Sequence, residues 1–301
     1  MTRKTEALTD TGAKYEKEAY LKQLEEELRK QAGDGGKLVY RDVTKNNGVV
    51  RRSVSIVRDG ATVSPVIYLD TCYDAYLKCG QTAQETAAQI LHDQAYADYV
   101  QEKAEVFFGS YDGVKEQLSM KAVNLERNRS LLPEVPHLIF EDLAVLYYYT
   151  VLGGQERNGT VRISRDDLER WEVTEEDFIR DAEVSSRAMF PPVIRGVREM
   201  LGFPGPEEEL FVLTNARGVF GAACLFYPGM ADEILERFGK SCYILPSSIH
   251  EVLILPESPD CDPQALRTIV REINRTEVLE EDFLSDSVYL LDIRSGALRR
   301  L

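Results

Sequence analysis

Cys242-Tyr243-Ile244-Leu245-Pro246-Ser247-Ser248-Ile249-His250-Glu251-Val252-Leu253-Ile254-Leu255 reads as two strands, Cys242 to Leu245 and Ile249 to Leu255, with a polar turn between them. Aliphatic and β-branched residues dominate both runs, while Pro246 and two serines supply turn chemistry. Outward from this pair the last third continues the theme. Leu210 to Thr214 and Val219 to Phe226 read as strands, Met230 to Phe238 and Pro263 to Asn274 as helices, and Val288 to Ile293 as a closing strand. Such a series implies an α+β fold, with a mixed or mostly antiparallel sheet and helices packed on it.

Upstream, Leu38 to Val43 and Val49 to Val57 flank Asn47-Gly48, the dipeptide that supplies the positive φ angles of a tight hairpin turn. Thr62 to Leu69 can add a third strand, with Pro65 tolerable only at an edge or bulge. A long N-terminal helix precedes them, because Tyr20, Leu21, Leu24 and Leu28 recur at helical spacing until the glycines of 33–36. From Asp70 to about Phe108 the pattern is helical again, with Ala87, Leu91, Ala95 and Tyr99 four residues apart and Cys79-Gly80 dividing two helices. Leu143 to Val151 reads as a long strand ending at Gly153-Gly154, and Thr160 to Ile163 as a short one. Ser164 with Asp167, and Thr174 with Asp177, then each open a helix in capping fashion, the second stopping at Pro191-Pro192. Two α+β halves are expected, residues 1–130 and 131–301, which can also form one compact unit.

The 301 residues are 44% hydrophobic, enough for a sizeable core. No apolar stretch approaches the roughly 18 residues of a membrane span, and the first residues lack the apolar region of a secretory signal. The expectation is therefore a cytoplasmic protein with no membrane partner. Cys72, Cys79, Cys224, Cys242 and Cys261 form no CxxC pair, so neither a zinc knuckle nor a disulfide framework is signalled, and Cys224 reads as a small core residue. A formal net charge of −15 opposes binding to a nucleic-acid backbone, so no nucleic-acid partner is expected. The same acidity would suit a surface that mimics nucleic acid and docks a basic partner.

The chain has three histidines, and His250 is the one best placed for chemistry. If Ile249 to Leu255 is a strand, His250 shares a face with Ser248, and Glu251 points the other way. Ser248 or Ser247 with His250 would then make a serine hydrolase dyad, its orienting acid supplied by Asp286 or Asp142. No Gly-x-Ser-x-Gly elbow surrounds either serine, and the second histidine of a helical zinc-protease signature is missing. The plainer reading gives these hydroxyls to backbone groups of a turn. Asn215, Glu251, Asp286 and His137 are candidate ligand-binding residues. No cofactor, metal, Walker-type loop or dinucleotide fingerprint is called for.

Through Lys45-Asn46-Asn47-Gly48-Val49, Ser64-Pro65-Val66-Ile67-Tyr68-Leu69, Phe140-Glu141-Asp142-Leu143, Val212-Leu213-Thr214-Asn215, Phe220-Gly221-Ala222, Pro246-Ser247-Ser248-Ile249-His250-Glu251 and Leu284-Ser285-Asp286, the chain resembles a family of unknown function found in Gram-positive gut anaerobes. The resemblance spans nearly the whole chain. It implies that these blocks form one module, and it carries no catalytic residue with it. Glu141 stands where the resemblance implies Asp. Three readings follow: a non-catalytic binding or accessory protein for a small molecule or a protein, the serine hydrolase, and the acidic mimic.

Overall fold

The computed structural model describes residues 2–32, 37–57, 64, 66–92, 103, 106, 107, 109–152, 158–203, 209–259 and 261–301. The glycines of 33–36, Ala95, Tyr99 and Gly153-Gly154 lie outside them. The chain is α+β, every described strand pair is antiparallel, and the strands form three sheets. Two compact units result, Met1–Lys45 with Val50–Phe108, and Asn46–Val49 with Gly109–Leu301.

In the first unit, helix α1 (Thr2–Ala32) precedes a meander of β1 (Lys37–Thr44), β2 (Val50–Val57) and β3 (Ile67–Tyr68), followed by α2 (Leu69–Cys79) and α3 (Ala83–His92). The tight turn between β1 and β2 places Asn47 at φ 60 and Gly48 at φ 73, which is why that dipeptide sits there. Gly80 ends α2 in the left-handed conformation, its N–H bonded to Tyr76 O at 2.8 Å. Tyr20, Leu21, Leu24 and Leu28 of α1 pack on Val54, Leu69, Tyr73, Ala83 and Ala87 in one apolar cluster. The helical spacing of α1 is thus explained by burial.

The second unit carries the other two sheets. A short helix α4 (Tyr111–Val114) leads into β4 (Leu118–Asn124), β5 (His137–Phe140), β6 (Leu143–Leu152) and β7 (Asn158–Arg162). β4 lines one edge of β6, while β5 and β7 share the other, end to end. Helices α5 (Arg165–Trp171) and α6 (Glu175–Met189) follow, opened by Ser164 and Thr174. Ser164 and Asp167 form a complete capping box. α6 buries Phe178 and Ala182, with Phe178 edge-on to Tyr147 at 5.3 Å between ring centroids.

The six-stranded sheet has the order β13-β12-β10-β11-β9-β8, from β8 (Pro192–Gly196), β9 (Phe211–Asn215), β10 (Cys242–Ser248), β11 (Glu251–Pro256), β12 (Tyr289–Leu291) and β13 (Leu298–Arg300). Between these run α7 (Val197–Met200), α8 (Met230–Phe238) and α9 (Pro263–Glu277). Val270 of α9 packs with Tyr243, Leu245 and Val288. β8 and β13 were not expected. Pro191-Pro192 reads only as a helix stop, yet Pro192 opens an edge strand, where its missing N–H costs no ladder bond.

The expected strand Val219 to Phe226 is corrected: Gly221–Phe226 is a 3-10 helix. Phe220 turns the chain at φ 56, and Ala223 N–H and Tyr227 N–H bond three residues back, to Phe220 O and Cys224 O. Gly221 through Leu225 are all buried, so the run is apolar throughout and carries no period that separates strand from helix. Cys224 is a core residue, its thiol pushed up to about 12 by burial.

A Cβ on Gly221 would strike Thr214 Oγ1 and lie 2.5 Å from His250 O and 2.8 Å from Asn215 N. Two of those three obstacles are backbone and cannot step aside. Gly221→Ala is expected to cost about 1–3 kcal/mol as overpacking, read as a lowered urea midpoint with unchanged slope.

Candidate functional site

The site is built on the β10–β11 hairpin. Tyr243 pairs with Leu255 and Leu245 with Leu253, but Ser248 pairs with Glu251, so β10 holds one extra residue at a bulge around Pro246 and Ser247. The cause is local, since Pro246 has no N–H to give the ladder. Ile249 and His250 form the two-residue turn itself. Ser248 Oγ accepts the backbone N–H of His250 at 3.1 Å, a bond that serine makes readily two residues on. The expectation that His250 lies within a strand and shares a face with Ser248 is corrected accordingly.

Two loops grip this turn. From the β9 side, Thr214 Oγ1 donates to His250 O at 2.8 Å, Ala222 N–H to Ile249 O at 3.3 Å, and Phe220 N–H to His250 Nδ1 at 3.2 Å. The Phe220 ring stacks on the imidazole, with centroids 5.7 Å apart and planes 14° from parallel. From the segment after α9, Ile249 N–H donates to Asp282 O at 2.9 Å, and Ser248 forms an isolated bridge with Phe283. His250 Nε2 lies 3.3 Å from Asp282 Oδ1.

These bonds assign the tautomer. Nδ1 accepts from a backbone N–H and so carries no proton, which places the proton of the neutral ring on Nε2, donated to Asp282. Both nitrogens face partners other than a serine hydroxyl. The carboxylate within reach of the ring is that of Asp282; Asp286 and Asp142 bond elsewhere. Phe220 is held by this arrangement in a left-handed conformation that an aromatic residue adopts only under constraint. Buried Lys121 of β4 places its ammonium 4.5 Å from the Phe220 ring centroid.

Segment 279–287 is held in turn by side chains. Asn46 Nδ2 donates to Glu281 O at 2.8 Å, and Asn47 Nδ2 to Glu280 O at 2.8 Å and Phe283 O at 2.7 Å. Asn47 and Asn128 bond reciprocally, and Asn124 Nδ2 donates to Leu284 O at 2.9 Å. Asn274 Nδ2 reaches Ser285 O and Asp286 Oδ1 at 2.9 and 3.0 Å.

Asp142, at the β5–β6 turn, accepts from Ser285 Oγ at 2.6 Å, Ser287 Oγ at 2.9 Å and the Tyr289 hydroxyl. Burial alone would raise its carboxyl, but the bonds from Ser285, Tyr289 and Ser287 outweigh it and hold the group below the ordinary carboxylate value. The Tyr289 phenol is pushed up, by burial first and then by donating to this carboxylate.

The candidate residues thus divide. Ser247, Ser248, His250 and Glu251 lie at the hairpin. Asn215 is buried at the end of β9, where Nδ2 donates to Val219 O at 2.7 Å and Oδ1 accepts Arg217 N–H at 3.0 Å, closing the loop that carries Phe220. Asp286 pairs with Asn274 instead. His137 lies on β5, its Nδ1–H given to Val135 O at 2.9 Å. Among the described residues no three His, Cys, Asp or Glu side chains are placed to hold a metal ion. Asp282, Phe220, Thr214 and Lys121 were missed. Asp282 follows Glu280-Glu281, and nothing local marks it as the partner of a histidine 32 residues away.

The chain belongs to a family of unknown function, DUF5688, whose profile matches residues 17–292. No curated protein and no solved structure is detectably similar to it. No helix among the described residues is long and apolar enough to cross a membrane.

Asp142 titrates lower in the folded than in the unfolded chain, so its contribution is complete above the ordinary value near 3.9 and disappears as pH falls through the folded value. Asp142→Asn is expected to lose roughly 1–3 kcal/mol at neutral pH and to show a shallower loss of stability than the parent below about pH 5. Urea unfolding at neutral and acid pH reads both effects. Equal acid slopes would contradict the assignment.

Proposed function

We propose that this family member is a cytoplasmic, non-catalytic binding protein in which the Pro246–Glu251 block is a structural clasp. One observation carries the reading: both nitrogens of His250 are engaged, Nδ1 by Phe220 N–H and Nε2 by Asp282. A general base for serine needs an imidazole lone pair directed at the hydroxyl, and here that lone pair faces a backbone amide. Ser248 is likewise engaged, its oxygen accepting the His250 N–H. The residues that look like a catalytic turn instead hold two loops against a hairpin, and such a scaffold suits a surface that binds without reacting.

The hydrolase reading makes an opposite prediction for the same residues. Incubation of the intact protein with a fluorophosphonate probe, followed by mass spectrometry, is expected to leave Ser247 and Ser248 unlabelled. Stoichiometric labelling of either serine, abolished in His250→Ala, would overturn the proposal. In the clasp reading, His250→Ala registers chiefly as lost stability, about 1–3 kcal/mol, because Phe220 N–H and Asp282 lose their partner.

A further inference from the structure

We infer that His250 is a proton-operated catch on the Phe220 turn, closed while the imidazole is neutral and opened when it takes a second proton. The geometry requires the neutral ring. Phe220 N–H points at Nδ1 from 3.2 Å, so a proton on Nδ1 sets two N–H groups against each other. Rotating the ring away surrenders Asp282 as well, because the same ring reaches Oδ1 at 3.3 Å.

Charges of both signs lie on the segments that meet at the ring: Asp282 at Nε2, with Glu280 and Glu281 in the same segment and Glu251 next to His250 in the chain, and Lys121 of β4 against the Phe220 ring, with Arg217 in the turn; β9 offers only the uncharged Thr214 and Asn215. The backbone supplies the latch. Phe220 holds φ 56, a conformation that persists only while its surroundings impose it, and the bond to Nδ1 is one of the contacts that do so. When that bond goes, the Phe220 amide is released, while the Asn215 bonds to Val219 O and Arg217 N–H keep residues 216–219 closed. The remaining ties of the hairpin, Thr214 to His250 O, Ala222 to Ile249 O and Ile249 to Asp282 O, involve no imidazole and stay in place. Opening is therefore local, and it frees the half-buried Phe220 ring from the imidazole on which it stacks and from the Lys121 ammonium it faces. The turn thus changes shape with pH, the usual way a histidine couples protons to conformation.

Amide hydrogen exchange on the full chain tests the catch residue by residue. After correction for intrinsic exchange, protection of Phe220 N–H is expected to fall at least about tenfold from about pH 8 to about pH 5, while Ile244 and Leu253 in the sheet stay protected. His250→Asn places a non-titrating acceptor where Nδ1 stands, so its Phe220 protection is expected to stay flat. Flat protection in the parent, or the same pH profile in His250→Asn, would overturn the inference. Should that variant fail to fold, the parent's imidazole nitrogen shifts serve: titration of the ring together with the Phe220 amide supports the catch, and titration without any change at Phe220 removes it.

Discussion

A single neutral imidazole adds side-chain bonds where three pieces of chain already meet through their backbones. His250 accepts a hydrogen bond from Phe220 N–H on one side and donates one to Asp282 on the other, so one ring ties the Phe220 loop and the segment after α9 to the hairpin turn, beside the backbone bonds from Ala222 N–H to Ile249 O and from Ile249 N–H to Asp282 O. The arrangement is directional. Only the Nε2–H tautomer satisfies both partners, Phe220 N–H as donor and the partly exposed Asp282 carboxylate as acceptor. The unusual backbone nearby follows from the same constraint: Phe220 in the left-handed region, and Gly221 pressed where no side chain fits.

Around this ring the second unit relies on polar side chains where apolar burial is scarce. Leu279 to Ser287 buries Leu284 but also carries Glu280, Glu281, Asp282 and Asp286, so most of the segment cannot be held by apolar packing. It is fixed by Asn46, Asn47, Asn124 and Asn274 donating to its carbonyls and to the Asp286 carboxylate, with Asn128 bonded to Asn47 behind them, and by Asp142 collecting hydroxyls from Ser285, Ser287 and Tyr289. Each bond contributes only about 1 kcal/mol net, but a network of this kind is cooperative, since loss of one member leaves others without that partner.

Much of the architecture was legible in the sequence because local chemistry and burial agree. Asn47-Gly48 takes the positive φ angles its turn needs, Ser164 and Asp167 close a capping box, and Leu24 and Leu28 are fully buried on α1. The failures share a cause in tertiary context. Gly221 to Phe226 is apolar on every side and so has no period to read, and Pro192 looks like a stop but opens an edge strand. At the site, the block from Pro246 to Glu251 was identifiable as special, and so was the turn-forming role of its serine. What the sequence did not contain was the identity of the partners. Strand alternation misplaced His250 because the bulge at Pro246 and the Ser248 hydroxyl ended β10 late and made the histidine part of the turn. Asp282 and Phe220 reach the ring only through the fold.

The tautomer of His250 is the most direct measure of whether the block is a clasp. Nitrogen-15 chemical shifts of the imidazole in the intact protein, at a pH where the ring is neutral, distinguish a protonated Nε2 from a protonated Nδ1. The clasp requires the proton on Nε2 and an acceptor-type Nδ1 coupled through a hydrogen bond to the Phe220 amide. A proton on Nδ1, which would leave the Nε2 lone pair available to a hydroxyl, would contradict it and return the serines to the centre of the problem.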